Sequence, residues 1–71
     1  MVIFTLMNKE AIGLYIAKRR NTLAITQARL AKLSGVSVHT LSNLETGNGN
    51  ITLESLIKIS EVMGLEVKVG V

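Results

Sequence analysis

Apolar positions in this 71-residue chain change their spacing along its length. Through the middle they recur three and four apart, as on one face of a helix, and toward the C-terminus they alternate. Within residues 26–44, TQARLAKLSGVSVHTLSNL, Leu30 and Leu33 alternate with small Ala28 and Ala31. That pattern predicts a short helix whose inner face another helix can approach closely. Gly35 follows, where a left-handed backbone meets no β-carbon penalty, and then Val36 as a buried hinge residue. Ser37 is a natural N-cap for a second helix carrying Leu41 and Leu44 three apart on its inner face. Two short helices joined by a tight turn make a helix-turn-helix. The outward face of the second helix holds Val38, His39, Thr40, Ser42 and Asn43, short uncharged groups suited to the edges of DNA bases.

The flanking segments complete a mainly α, four-helix domain over residues 1–71, with a helical core at 8–63. Asn8 is placed to cap a first helix, with Glu10 near its positive end and Lys18, Arg19 and Arg20 near its negative end. Ile12, Ile16 and Leu23 are expected on its inner side, with Ala17 filling a small gap. The second and third helices are expected at about 27–34 and 38–45, and Gly47 and Gly49 break the chain after them. Thr52 caps a fourth helix, whose Leu53, Leu56, Ile57, Ile59 and Met63 complete the core before Gly64 stops it.

Both ends read as short strands. MVIFTLM (1–7) is rich in β-formers, and LEVKVGV (65–71) alternates strictly, with Leu65, Val67, Val69 and Val71 on one side and Glu66 and Lys68 on the other. A strand this apolar is not left unpaired in water. It is therefore expected to pair with its symmetry mate across a two-fold axis, or with the N-terminal strand, in a small sheet at a homodimer interface. The alternative is a hairpin edge folded back on its own monomer, with dimerisation left to the fourth helix or absent.

Composition sharpens this picture. Domains this small bury only about 60% of their unfolded surface, yet 48% of the chain is apolar, and dimerisation is one way to hide the excess. The chain has no Cys and no Pro, which excludes a disulfide framework and is compatible with a reducing cytoplasm. No apolar run approaches the ~18 residues of a membrane span, and the opening segment lacks the basic start of a signal peptide. Net charge is +3, with Lys18, Arg19, Arg20, Arg29 and Lys32 in the first half and Glu54, Glu61 and Glu66 in the second. That asymmetry suits a domain with one face on phosphate and another on a protein partner. A solvated basic helix end gives the same pattern.

Nothing in the chain reads as an enzyme or as a cofactor or metal site. His39 is the single histidine and has no Cys beside it to make a metal site. Ser37 and Ser42 lack base and acid partners beyond that lone His, and they read better as caps and base contacts. GNGN (47–50) lacks the Lys and Ser or Thr that a phosphate loop carries after its glycines. For His39 itself, an exposed residue without function and a base contact are both consistent with its place.

The stretch from about residue 12 to 64 resembles the XRE or Cro/cI-type helix-turn-helix domain of bacterial and phage repressors. Gln27, Ala31, Gly35, Leu41 and Leu44 stand at that family's positions, and LETGNGNITLESLIKISEVMG is similar to its loop and fourth helix. The resemblance implies a lambda-repressor-like fold, double-stranded DNA as partner, and a cytoplasmic, nucleoid-associated location. It also implies phosphate contacts from Thr26, Gln27, Ser37 and Asn43. Val38 would face a thymine methyl, His39 and Ser42 would reach base edges, and Thr40 could do either. In several members an Arg near the end of the first helix pairs with the Glu ending the third, which falls here on Arg20 and Glu45. Two free surface charges are the alternative.

Two departures stand out. Many members have Glu where this chain has Arg29, a cation at a helix N-terminus that costs helix stability and could be offset by a phosphate contact. The family often has Gly where this chain has Ala24, so Asn21 is expected to take the left-handed position instead. Three function classes follow. The first is a dimeric repressor reading a short palindrome. The second is an antitoxin that binds a cognate toxin and autoregulates its operon, since a helix-turn-helix followed at once by a C-terminal strand looks like the HipB-like antitoxins. The third is a protein-binding module without DNA binding, which the basic stripe disfavours.

Overall fold

The structure, a computed structural model, describes the backbone of residues 2–3 and 8–68 and the side chains of residues 8–67. Four helices, α1 (Lys9–Thr22), α2 (Gln27–Ser34), α3 (Val38–Thr46) and α4 (Leu53–Val62), follow one another in chain order. Each begins the same way. Asn8, Thr26, Ser37 and Thr52 have extended backbones, and each side chain accepts the N–H three residues on. A capping oxygen satisfies one of the four N–H groups that a helix start leaves without a partner.

Each helix also ends the same way. After α2, Gly35 takes φ +74°, its N–H reaches Lys32 O, and the next N–H, of Val36, reaches back to Ala31 O at 3.1 Å. This is a Schellman turn, in which two orphan carbonyls are satisfied by a left-handed residue and its successor. Gly47 and Gly64 occupy the same place after α3 and α4, with Asn48 N–H on Asn43 O and Leu65 N–H on Ser60 O. After α1 the same two bonds run from Ala24 N–H to Asn21 O and from Ile25 N–H to Arg20 O, and Ala24 takes φ +57°. The expected left-handed Asn21 is corrected: Asn21 is the penultimate residue of α1, and the Schellman register leaves Ala24 no other conformation. Ile25, Val36 and Leu65, the residues after three of these turns, pack in or against the core.

The core is built from Ile16, Leu30, Ala31, Leu41, Leu44, Leu56, Ile59, Met63 and Leu65. α1 lies against α3, and α2 packs on both α3 and α4. Four expected core positions are corrected. Ile57 is half-buried and outside the core. Leu23, Leu33 and Leu53 are exposed, because the close packing of Leu30 and Ala31 turns Leu33 outward and Leu23 and Leu53 fall at helix ends. Gly13 is buried in the middle of α1, where a β-carbon would fall on the carbonyl of Leu44 in α3. The two backbones approach too closely for any side chain there.

A two-residue parallel ladder joins the chain ends. β1 (Val2–Ile3) pairs with β2 (Val67–Lys68), Val2 opposite Val67 and Ile3 opposite Lys68. The seven-residue strands expected at each end are not supported at that length, and residues 4–7 and 69–71 lie outside the described residues. The architecture is four helices with a short terminal clasp. β2 thus folds back on its own chain, beside the N-terminal strand, but parallel to it and not as a hairpin, since parallel neighbours require the crossover that the four helices here provide.

Candidate nucleic-acid interface

α3 turns one stripe inward and leaves the rest available. Leu41 and Leu44 are buried, while Val38 and His39 are exposed and Thr40, Ser42 and Asn43 are half-buried. Val38 keeps 46% of its surface in solvent at the first turn, a position where an apolar group meets water unless a ligand covers it. Ser37 Oγ accepts Thr40 N–H at 3.0 Å and bonds Thr40 Oγ1 at 2.8 Å, which settles the start of the helix. Asn43 Nδ2 lies 3.2 Å from His39 Nε2 one turn away.

The far end of α3 is clamped. Arg20 Nε and Nη2 donate to the two carboxylate oxygens of Glu45 at 2.7 and 2.9 Å. Its Nη1 donates to Ile25 O at 2.8 Å. Gln27 Nε2 adds a third bond to the same carboxylate at 3.1 Å. A planar guanidinium matched to both carboxylate oxygens fixes direction as well as distance. The pair is largely out of water, with side chains 14% and 5% exposed. Its bond to Glu45 raises the Arg20 pKa, against the opposing effect of burial and with the help of the neighbouring negative charge. One arginine thus ties the end of α1, the α1–α2 turn and the end of α3.

The basic residues divide into two sets. Arg20 is committed to Glu45, and Arg19 donates to Met63 O at 3.2 Å, where it caps the end of α4. Lys58 pairs with Glu54 one turn away at 3.2 Å. Lys9, Lys18, Arg29 and Lys32 have no ion-pair partner among the described residues. Arg29 and Lys32 are exposed and three apart on α2, which puts them on one face. Beside them, Thr26 Oγ1 accepts Arg29 N–H at 3.1 Å, and the first N–H groups of α2 face outward where an anion is favoured.

The expected site residues therefore fall at three places. Val38, His39, Thr40, Ser42 and Asn43 share the outer part of α3, with Ser37 at its start. Thr26, Gln27 and Arg29 gather at the start of α2. Arg20 and Glu45 join behind them. Thr26, Ser37, Gln27 and Asn43 each hold a bond within the chain, and each amide or hydroxyl retains capacity for another. Sequence reasoning missed the Gln27–Glu45 bond, the Arg19 cap and the Gly13 contact, all of which join segments far apart in the chain. A lone glycine inside a helical pattern was the one available sign of the last.

A paired-helix unit with a braced, outward second helix defines a helix-turn-helix DNA-binding domain. The helix-turn-helix family of the XRE type matches residues 16–69, and the chain belongs to that family. No curated protein matches it. It is accordingly a DNA-binding regulator of transcription. No helix among the described residues is long and apolar enough to cross a membrane.

Proposed function

We propose that the chain is a repressor that binds a palindromic operator as a homodimer, with α3 in the major groove. The observation that carries this reading is the exposed outer face of α3, an uncharged surface of base-sized groups on a helix clamped at its far end by Arg20 and Glu45. Val38 meets a thymine methyl, and His39, Thr40 and Ser42 reach base edges. Thr26, Gln27, Arg29, Ser37 and Asn43 hold the phosphates on either side, which positions the domain without reading sequence.

Selection of bound duplexes from a random pool tests this. It should return a site with two-fold symmetry and half-sites about 10 bp apart. Arg29→Ala should weaken binding to every duplex alike and lower the salt dependence by about one phosphate contact. Recovery of no common sequence would overturn the reading.

The second reading is a HipB-like antitoxin that holds a toxin and represses its own operon. What favours it is the start of β2 at Val67, five residues after α4 ends at Val62, with no further domain between them. A stable complex with the product of the adjacent gene in the same operon would establish it. Retention of full repression in the absence of that product would favour the simple repressor.

A further inference from the structure

His39 and Asn43 stand one turn apart on the outer side of α3, with Asn43 Nδ2 at 3.2 Å from His39 Nε2. An amide nitrogen has only hydrogens to offer, so a hydrogen bond across this distance requires the lone pair on the ring nitrogen facing it. In a neutral imidazole the proton then sits on Nδ1. That is the tautomer that free histidine disfavours in water. The backbone of Asn43 is held by the loop after α3, where Asn48 N–H donates to Asn43 O at 2.9 Å, and its side chain is half-buried.

We propose that Asn43 is a positioning residue that holds neutral His39 in its Nδ1–H form, so that the nitrogen left for a ligand is a donor and the base it favours is guanine. The inference rests on the reading that α3 meets base edges. Guanine presents two adjacent acceptors, N7 and O6, along its major-groove edge and no donor, whereas adenine sets an amino donor beside N7, cytosine presents an amino donor, and thymine offers O4 alone beside its methyl. With Nε2 occupied by Asn43, a neutral His39 has no acceptor with which to greet that amino group. An amide one turn along the same helix thereby decides which base the histidine accepts. Asn43 acts through His39 whether or not it also touches phosphate.

Long-range nitrogen–proton spectra of the free, full-length protein, at a pH well above the imidazole range, read the tautomer without DNA. Wild type should show the Nδ1–H pattern. Asn43→Ala should shift it toward Nε2–H, and Asn43→Asp, which can only accept, should convert it fully. Circular dichroism confirms that each variant keeps its helices. On the selected duplex, Asn43→Ala should reduce the preference for guanine at one base pair of each half-site by roughly threefold to tenfold, the worth of one hydrogen bond, and His39→Ala should remove it. The two ways of failing are distinct. An Nε2–H ring in the free wild-type protein overturns the positioning role whatever the DNA results. An Nδ1–H ring with the same base preference in wild type, Asn43→Ala and His39→Ala overturns the base-reading half and counts against the placement of α3.

Discussion

At the residue scale, Ala24 and Gly13 each sit where the other's side chain would be preferred by local rules. Ala24 holds the left-handed position of a Schellman turn that the other three helices give to glycine. An L-residue with a β-carbon pays about 1–2 kcal/mol there. Ala24→Gly should therefore raise stability by about 1 kcal/mol, less the entropy that glycine adds to the unfolded chain. Urea unfolding followed by circular dichroism measures it, and a midpoint that falls instead would show that the turn is not strained. Gly13 is the reverse case. Glycine within a helix costs about 1 kcal/mol relative to alanine, so propensity alone favours Gly13→Ala. The backbone of Leu44 and Glu45 occupies the space the methyl would need, and overpacking costs about 1–3 kcal/mol or more. The substitution should destabilise the domain, and any gain in its unfolding midpoint would mean that α1 and α3 can separate without penalty. Neither position was legible in the sequence for what it is. Ala24 stands out in the sequence only as a departure from the family, which points to Asn21 for the left-handed position. The contact of Gly13 is a tertiary one, and a glycine inside a helical pattern shows that something is unusual there without showing what it meets.

At the scale of elements, the helix starts were the most readable feature, because an N-cap is a local bond between residues three apart. Three caps, at Asn8, Ser37 and Thr52, stand where the sequence placed them, Thr26 caps α2 in the same way, and α2 has its expected bounds. The core was read less well at Leu23, Leu33 and Leu53, since periodicity places a residue on a face but cannot say how wide the covered part of that face is. The brace on α3 is the element-level feature through which stability and the proposed DNA contact can be tested together. Arg20→Met would leave the Glu45 carboxylate, 5% exposed, with Gln27 alone. Removing one partner of a buried pair costs about 3–5 kcal/mol, and the partial exposure of Arg20 places the expected loss at the lower end, about 3 kcal/mol. The double variant Arg20→Met with Glu45→Leu should recover much of that stability, because an apolar pair of similar volume avoids the uncompensated charge. Operator affinity should stay low in the double variant, since neither side chain then fixes the direction of α3. Unfolding curves and anisotropy titrations on the same samples separate the two effects. Full recovery of both would reduce the pair to a stabilising contact with no part in orienting the helix.

At the scale of the whole molecule, the terminal clasp decides how two copies could meet. β1 and β2 are each only two residues long in the described structure, and a two-stranded sheet leaves an open edge on either side. Strands brought together across a two-fold axis perpendicular to them run antiparallel, so two such clasps can join edge to edge without disturbing the parallel ladder within each chain. An isologous contact of this kind sets both copies of α3 facing the same side of DNA, about 34 Å apart when they enter successive major grooves. A truncation tests this interface, and its position matters. Leu65 is 8% exposed and belongs to the core, so removing it would unfold the domain and report nothing about assembly. Ending the chain after Glu66 deletes β2 and keeps Leu65. The shortened protein should retain its helical signal, sediment as a monomer, and bind an isolated half-site as wild type does. Its affinity for the full palindrome should fall toward that of the half-site, because the second contact no longer benefits from the high effective concentration that dimerisation supplies. A truncated protein that sediments as an unchanged dimer would place the interface elsewhere, with the outer face of α4 next in line, and would leave the clasp as a tie between the ends of a single chain.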